Sequence, residues 1–378
     1  MNIAIVCYPT FGGSGVVATE LGRALAKKGH QIHFISYNLP VRLEALNDPN
    51  IHYHEVNVPD YPLFKYQPYE LALSSRLVDV VKTHKVDVLH VHYAIPHAYA
   101  AYMAKKMLLD NGIHIPIVTT LHGTDITLVG SHPFYRPAVT FSINHSDRVT
   151  AVSESLKQDT LRLFDVNKKI EVIPNFIDID RIKAKGKPCE RSLLANKEEK
   201  IVTHISNFRP LKRILDVIAV FEGILPKVKS KLMMVGEGPE KSKAIEYVKN
   251  KSLQEHVLFL GNSNEIDKIL CFSDLFLLPS EKESFGLSAL EAMAHGVPVI
   301  SSNAGGIPEV NQHGVTGYLS NIGDTADMTQ NALRLLENEK QHNLFKIQAQ
   351  EQAQRFNINT IVSHYESSYV DAIASIQY

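Results

Sequence analysis

The sequence predicts an α/β protein of two doubly wound parallel-sheet domains that face one another across a cleft. Three observations predict it. Short β-branched apolar runs alternate with longer periodic segments almost throughout the chain. A stretch rich in Lys, Glu, Arg and Pro, from Lys183 to Lys200, breaks the alternation, which then restarts. The length of 378 residues accommodates two to three domains at about 150 residues each.

In chain order, strands are expected at 2–7, 31–37, 51–58, 86–93, 116–122, 148–153 and 170–174. Between them, Val17, Leu21 and Leu25 mark one face of a helix over 16–28, and further helices fall near 68–84, 96–110, 133–146 and 153–164. After the break come strands at 201–206, 231–235, 256–261, 275–279 and 298–302, with helices near 212–225, 239–250, 287–295 and 325–338. Residues 340–376 carry no strand pattern and read as two terminal helices. The domains are therefore expected at 1–180 and 196–357, with the last helix, within 358–378, packing back on the first domain. No close sequence repeat relates the halves. In doubly wound sheets ligands bind beyond the carboxyl ends of the strands.

Composition excludes several classes. Lys+Arg 39 against Asp+Glu 40, a formal charge of -1, disfavours a nucleic-acid binder. No apolar run reaches the roughly 18 residues of a membrane span. Residues 1–7 lack the basic start of a signal peptide and read as a buried strand. Cys7, Cys189 and Cys271 form no Cys-x-x-Cys pair, which suggests a reducing compartment and no zinc knuckle. A cytoplasmic protein is expected, with self-association into a homo-oligomer left open.

The first loop, Tyr8 to Gly15, contains Gly12-Gly13-Ser14-Gly15 and precedes a helix. Glycines let backbone approach a ligand closely, and a helix N-terminus attracts an anion. Gly13-x-Gly15-x-x-Ala18 fits a dinucleotide fingerprint, but the second strand ends Ser36-Tyr37-Asn38, without the acidic residue that holds a ribose hydroxyl. Some other phosphate or carboxylate suits the loop better. His90 and His92 share a strand face, yet no third ligand of fixed spacing accompanies them and His97. His122, in Leu121-His122-Gly123-Thr124-Asp125, follows a strand, where an imidazole can meet a reacting group or serve packing.

The second half carries a sharper pattern. Glu283 and Glu291 lie eight positions apart, across a turn and into a helix whose first amides, around Phe285, Gly286 and Leu287, are suited to an anionic or polyhydroxylated ligand. Ala292-Met293-Ala294-His295-Gly296 and Gly305-Gly306 follow. Arg209, Lys212 and Arg213 add the cations a diphosphate needs.

Together with Ile173-Pro174-Asn175 and Gly236-Glu237-Gly238-Pro239, these residues resemble the retaining glycosyltransferases of family four, over essentially the whole chain. The resemblance implies a GT-B fold of two Rossmann-like domains and transfer with retention at the anomeric carbon. It implies catalytic roles for His122, Glu283, Arg209 and Lys212, and a donor site formed with Gly13, Gly236, Asn262, Phe285, Gly286, Leu287 and Glu291. Asn207 stands where the family usually has Arg, so the phosphate clamp falls to Lys212 and, two residues on from the usual place, Arg209. No metal and no cofactor are implied, the two cations answering the diphosphate. Within the family, Cys7-Tyr8-Pro9, His90 to His97, Thr119 to Asp125 and Ser280 to Gly286 are most similar to members that join N-acetylglucosamine from UDP-GlcNAc to L-malate for bacillithiol biosynthesis. For that acceptor the residues in question are Ser14, Tyr93, Thr119, Thr120 and Arg42. Other readings remain open at this point: another UDP-sugar-dependent member, a GT-B sugar-nucleotide epimerase, a non-catalytic sensor of the donor, and an NAD-dependent oxidoreductase.

Overall fold

The computed structural model describes residues 1–10, 12–43, 48–60, 62–184, 191, 195–196 and 198–376. Much of the charged stretch between the halves, with Cys189, lies outside the described residues. Cys7 is free and buried. Cys271 is disulfide-bonded, which departs from the expectation of unpaired thiols. The chain divides into two compact units, 1–175 with 358–378 and 176–357. Residues 176–180, assigned above to the first domain, cluster with the second.

The first unit runs β1 (Asn2–Val6), α1 (Ser14–Lys27), β2 (Gln31–Ser36), β3 (Ile51–Glu55), α2 (Tyr69–His84), β4 (Val88–His92), α3 (Tyr99–Leu109), β5 (Ile117–Leu121), α4 (Arg136–His145), β6 (Arg148–Ala151), α5 (Glu154–Leu163) and β7 (Ile170–Val172). Its seven strands lie in the order β3-β2-β1-β4-β5-β6-β7, and every pairing is parallel. Strands buried on both faces need continuous apolar sequence, and β4 and β5 are buried at every position. The order reverses between β1 and β4, so the loops after these two strands diverge and leave a crevice for a ligand.

The second unit comprises α6 (Ile179–Ala184), β8 (Lys200–Ile205), α7 (Ile214–Ile224), β9 (Ser230–Val235), α8 (Lys241–Asn250), β10 (Val257–Gly261), α9 (Ile266–Phe272), β11 (Leu275–Leu278), α10 (Leu287–Ala294), β12 (Val299–Ser302), α11 (Ile307–Val310), β13 (Gly317–Ser320), α12 (Thr325–Leu336) and α13 (Glu339–Gln354). Six parallel strands take the order β10-β9-β8-β11-β12-β13, with the reversal between β8 and β11. Val217, Ile218 and Phe221 of α7 pack with Leu232, Met234 and Leu275 of the sheet in one core. The last helix, α14 (Ile358–Ala374), belongs to the first unit. Its Tyr365 and Tyr369 are wholly buried, and the Tyr369 hydroxyl meets His90 Nδ1 at 2.8 Å. No helix is long and apolar enough to cross a membrane among the described residues.

Candidate active site

In the first unit, functional side chains gather where β1, β4 and β5 end. Gly13, at φ 46, is the N-cap of α1, whose first turn has no side-chain cap and no acidic residue. Side chains cap α5 (Ser153), α12 (Asp324) and α13 (Asn338), whereas α2, α3, α4, α7 and α8 lack a side-chain cap as α1 does. The start of α1 thus keeps backbone donors and a partial positive charge for an anion. Ser14 Oγ and the Tyr93 hydroxyl share a hydrogen bond of 2.7 Å. Tyr93 follows β4 at φ 85, a backbone state costly for a residue with a β-carbon. The Tyr8 ring meets that of Tyr93 edge to face at 5.3 Å.

His122 Nε2 and His92 Nδ1 share a 2.7 Å hydrogen bond across β4 and β5. Burial, and the nearby His97, lower the His122 pKa to about 3. The ring is therefore neutral at pH 7 and acts as a hydrogen-bonding group, not as a cation. His90, once weighed for a metal, has both nitrogens occupied, by Thr120 Oγ1 at 2.7 Å and by Tyr369.

Asp125 is the residue whose role the sequence did not reveal. Its Oδ1 accepts from the amides of Gly123 at 2.9 Å and His122 at 3.2 Å, and its Oδ2 accepts from the Ala94 amide at 2.9 Å. One buried carboxylate thus ties the loop after β5 to the loop after β4. Burial raises its pKa to about 6 against the lowering effect of those amides. The signal for it was the Asx-type spacing in His122-Gly123-Thr124-Asp125, where a short acidic side chain bonds amides just upstream.

Three acceptor residues are placed differently from expectation. Thr119 and Thr120 are wholly buried inside β5. Thr119 Oγ1 bonds Ser146 Oγ at 2.7 Å, and Thr120 Oγ1 bonds His90 and Thr150. β5 runs on to Leu121, so neither hydroxyl reaches its tip. Arg42 bonds Glu20 Oε1 at 2.9 Å; Glu20 is buried in α1, where an unpaired carboxylate would be costly.

The second unit has a corresponding cluster beyond β8 and β11. Arg209 is exposed and precedes a single turn, Pro210–Lys212. Lys212 Nζ lies 2.5 Å from Glu283 Oε2, both side chains being 16% exposed. Cation and carboxylate, expected to meet different parts of a donor, are thus paired with one another. Gly286, at φ 97, is the N-cap of α10, which again has no side-chain cap. Phe285 is buried against Phe356, leaving its backbone as the functional part. Glu291 lies one turn into α10, half-buried, and Asn262 is exposed just after β10.

Two close backbone approaches shape these loops. A β-carbon on Gly236 would lie 1.8 Å from the Ser206 carbonyl oxygen, and one on Gly305 2.0 Å from that of Glu283. Only glycine lets the loop after β9 press on the Ser206–Arg209 loop, and Gly305-Gly306 press on the Glu283 turn.

Two parallel Rossmann-like sheets, each with uncapped helix starts and cationic or polar groups at its switch point, define a GT-B glycosyltransferase architecture. The comparisons agree. Residues 11–181 match the model for Glycosyltransferase Family 4, and residues 189–352 match that for Glycosyl transferases group 1. The chain belongs to the family 4 glycosyltransferases of GT-B fold. It is 49% identical, over 376 residues, to N-acetyl-alpha-D-glucosaminyl L-malate synthase of Bacillus anthracis, covering 99% of this chain and 97% of that one. It is 28% identical to an uncharacterized glycosyltransferase of Methanocaldococcus jannaschii over 84% of each chain. The crystal structure of HepE from Anabaena, in complex with UDP and glucose, superposes with a TM-score of 0.79 at 20% identity, covering 97% of this chain and 99% of that one.

Proposed function

We propose that this glycosyltransferase moves N-acetylglucosamine from UDP-GlcNAc to the hydroxyl of L-malate, with retention at the anomeric carbon, as a step toward bacillithiol. The observation that carries the reading is the 49% identity, spread over 99% of the chain, to the Bacillus anthracis enzyme of that name. The second unit takes the donor. Arg209 and Lys212 neutralise the diphosphate, amides at the start of α10 and Glu283 orient the sugar, and Glu291 accepts from the ribose hydroxyls. The loops of Gly236 and Asn262 line the nucleotide. The first unit takes the acceptor: amides at Gly13 and Ser14 receive one malate carboxylate. Ser14 and Tyr93 hydroxyls, already bonded to one another, turn to the rest of the molecule.

In the reaction the malate hydroxyl oxygen bonds to the anomeric carbon as the bond from that carbon to the UDP oxygen breaks. The departing phosphate oxygen takes the hydroxyl proton, so no enzymic base is needed. The protein supplies position and charge. Neutral His122 donates a hydrogen bond toward the sugar. The two cations take the place that a divalent ion fills elsewhere, so no cofactor is invoked.

The test is mass spectrometry of products from UDP-GlcNAc and a panel of hydroxy acids, with the anomer read by NMR. An α-linked N-acetylglucosaminyl malate, formed faster than any other glycoside, is expected. UDP release with another acceptor preferred would overturn the acceptor, and epimerised UDP-sugar without glycoside would overturn transfer itself.

A further inference from the structure

A second cluster of histidines lies in the first unit, away from the loops described above. His33 stands on β2, His54 on the neighbouring edge strand β3, and His84 is the last residue of α2. One ring nitrogen from each lies within 4.8 Å of the other two. His33 Nδ1 and His54 Nε2 are already 3.0 Å apart. The His33 and His84 rings lie 4.5 Å apart, and those of His54 and His84 4.9 Å. We propose that His33, His54 and His84 form a binding site for a first-row divalent transition metal, zinc being the natural probe, distinct from the glycosyl-transfer site.

The geometry suits that ion. Zinc holds imidazole nitrogens at about 2.0–2.1 Å, so in a tetrahedral site neighbouring donors are about 3.4 Å apart. One pair here is already about that close, and the nitrogen of the third ring lies within 4.8 Å of both. Three imidazoles with no carboxylate in the set favour zinc, copper, nickel or cobalt over magnesium or calcium. Three protein ligands also leave a fourth position for water.

The surroundings agree. His33 is buried, and burial with the neighbouring imidazoles lowers its pKa to about 3 and that of His54 to about 4. The rings thus offer lone pairs at neutral pH. His33 and His54 now share one proton between facing nitrogens. That proton's owner needs only to change tautomer, its N–H moving to the other ring nitrogen, so binding releases no net proton. His52 stacks on His33 at 4.9 Å and is itself bonded to Gln31. The Arg76–Asp79 ion pair, at 2.7 Å, acts on the His54 ring with two charges of opposite effect. The end of α2 is fixed by Asn2 Nδ2, which donates to the His84 carbonyl at 3.0 Å. β3 and β2 end the sheet on the side of β1 away from β4 and β5, so the cluster lies apart from the Tyr93 and His122 loops. The ion would tie the edge strand to its crossover helix and take no part in transfer.

The untagged chain, freed of metal and titrated with cobalt(II), tests this. Expected are one equivalent bound per chain and the intense visible absorption of a tetrahedral site, displaced by zinc. Zinc should also raise the thermal midpoint. His54→Ala and His84→Ala should each weaken binding more than about tenfold, whereas His364→Ala, at an exposed position on α14, should not. His84→Asn, at the more exposed corner, gives the same reading if His54→Ala fails to fold. Absence of the tetrahedral absorption, or equal uptake by wild type and the His84 variants, would overturn the site.

Discussion

Asp125→Asn is the substitution with the most to say about how the acceptor side is built. The carboxylate receives three amides on two oxygens. An asparagine has one acceptor oxygen. If that oxygen keeps Gly123 and His122, its amide group faces the Ala94 N–H donor to donor. One hydrogen bond to a charged group is lost, and a buried N–H is left unpaired, together about 1.5–3 kcal/mol. For a unit of this size that corresponds to a fall of about 3–12 °C in the thermal midpoint. A second effect is local. Ala94 anchors the chain just after Tyr93, whose positive φ is held only by its surroundings. Once released, Tyr93 relaxes and its hydroxyl leaves Ser14. The malate KM should rise about tenfold, while UDP affinity stays unchanged because its contacts lie in the other unit. Thermal melts and initial rates at varied malate, with calorimetry for UDP, read all three quantities. A midpoint within a degree of wild type together with an unaltered malate KM would refute the reasoning.

Tyr93→Phe and Ser14→Ala should each raise the malate KM, the pair less than additively because they remove the same 2.7 Å bond; steady-state kinetics of the double-mutant cycle checks this. Glu291→Ala should weaken UDP and UDP-GlcNAc equally, by about 1.5–3 kcal/mol, measured by calorimetry. Lys212→Ala should depress turnover severely and leave Glu283 without its cation, so Lys212→Ala and Glu283→Ala should combine less than additively in kcat. Stability should fall steeply with acidity. Burial holds the pKa of His90 and His122 at about 3 and of His97 and His204 at about 4, against about 6.5 when unfolded. Their contribution is present above pH 6.5 and is lost as pH drops below it. Asp125, raised to about 6, opposes one of those four protons. Those four less Asp125 leave three net protons, about 4 kcal/mol per pH unit near pH 5, and His33, His54 and His92, lowered likewise, steepen the fall further; denaturant titration at several pH values reads it.

Much of this molecule can be read without coordinates. α1 declares itself by period and β1 by its continuous apolar run, and the glycine loop and the Glu283/Glu291 pattern are local signals. What escaped was short or depended on register. α11 and β13 have four residues each, too few for a period to emerge. His92 meets His122, and Asp125 reaches Ala94, only because β4 and β5 are neighbours. Nothing in the chain before folding says that residues 30 apart will touch. Thr119 and Thr120 were misplaced for the converse reason: a strand's sequence does not show how much of its end is covered. For Arg42 the sequence does not show that its guanidinium answers Glu20, a residue of another element.

The placement of α14 has a consequence for how the protein is made. Residues 1–175 leave the ribosome before the second unit, yet the sheet they form lacks Tyr365 and Tyr369 until that unit too has been made. The intervening unit, 176–357, is contiguous and can close its own core as soon as it emerges. The order of synthesis and the order of completion are thus inverted: the half begun first is finished last. Throughout translation of the second half, His90 on β4 waits for the Tyr369 hydroxyl that will take its Nδ1, so this flank of the sheet stays open to water until α14 arrives.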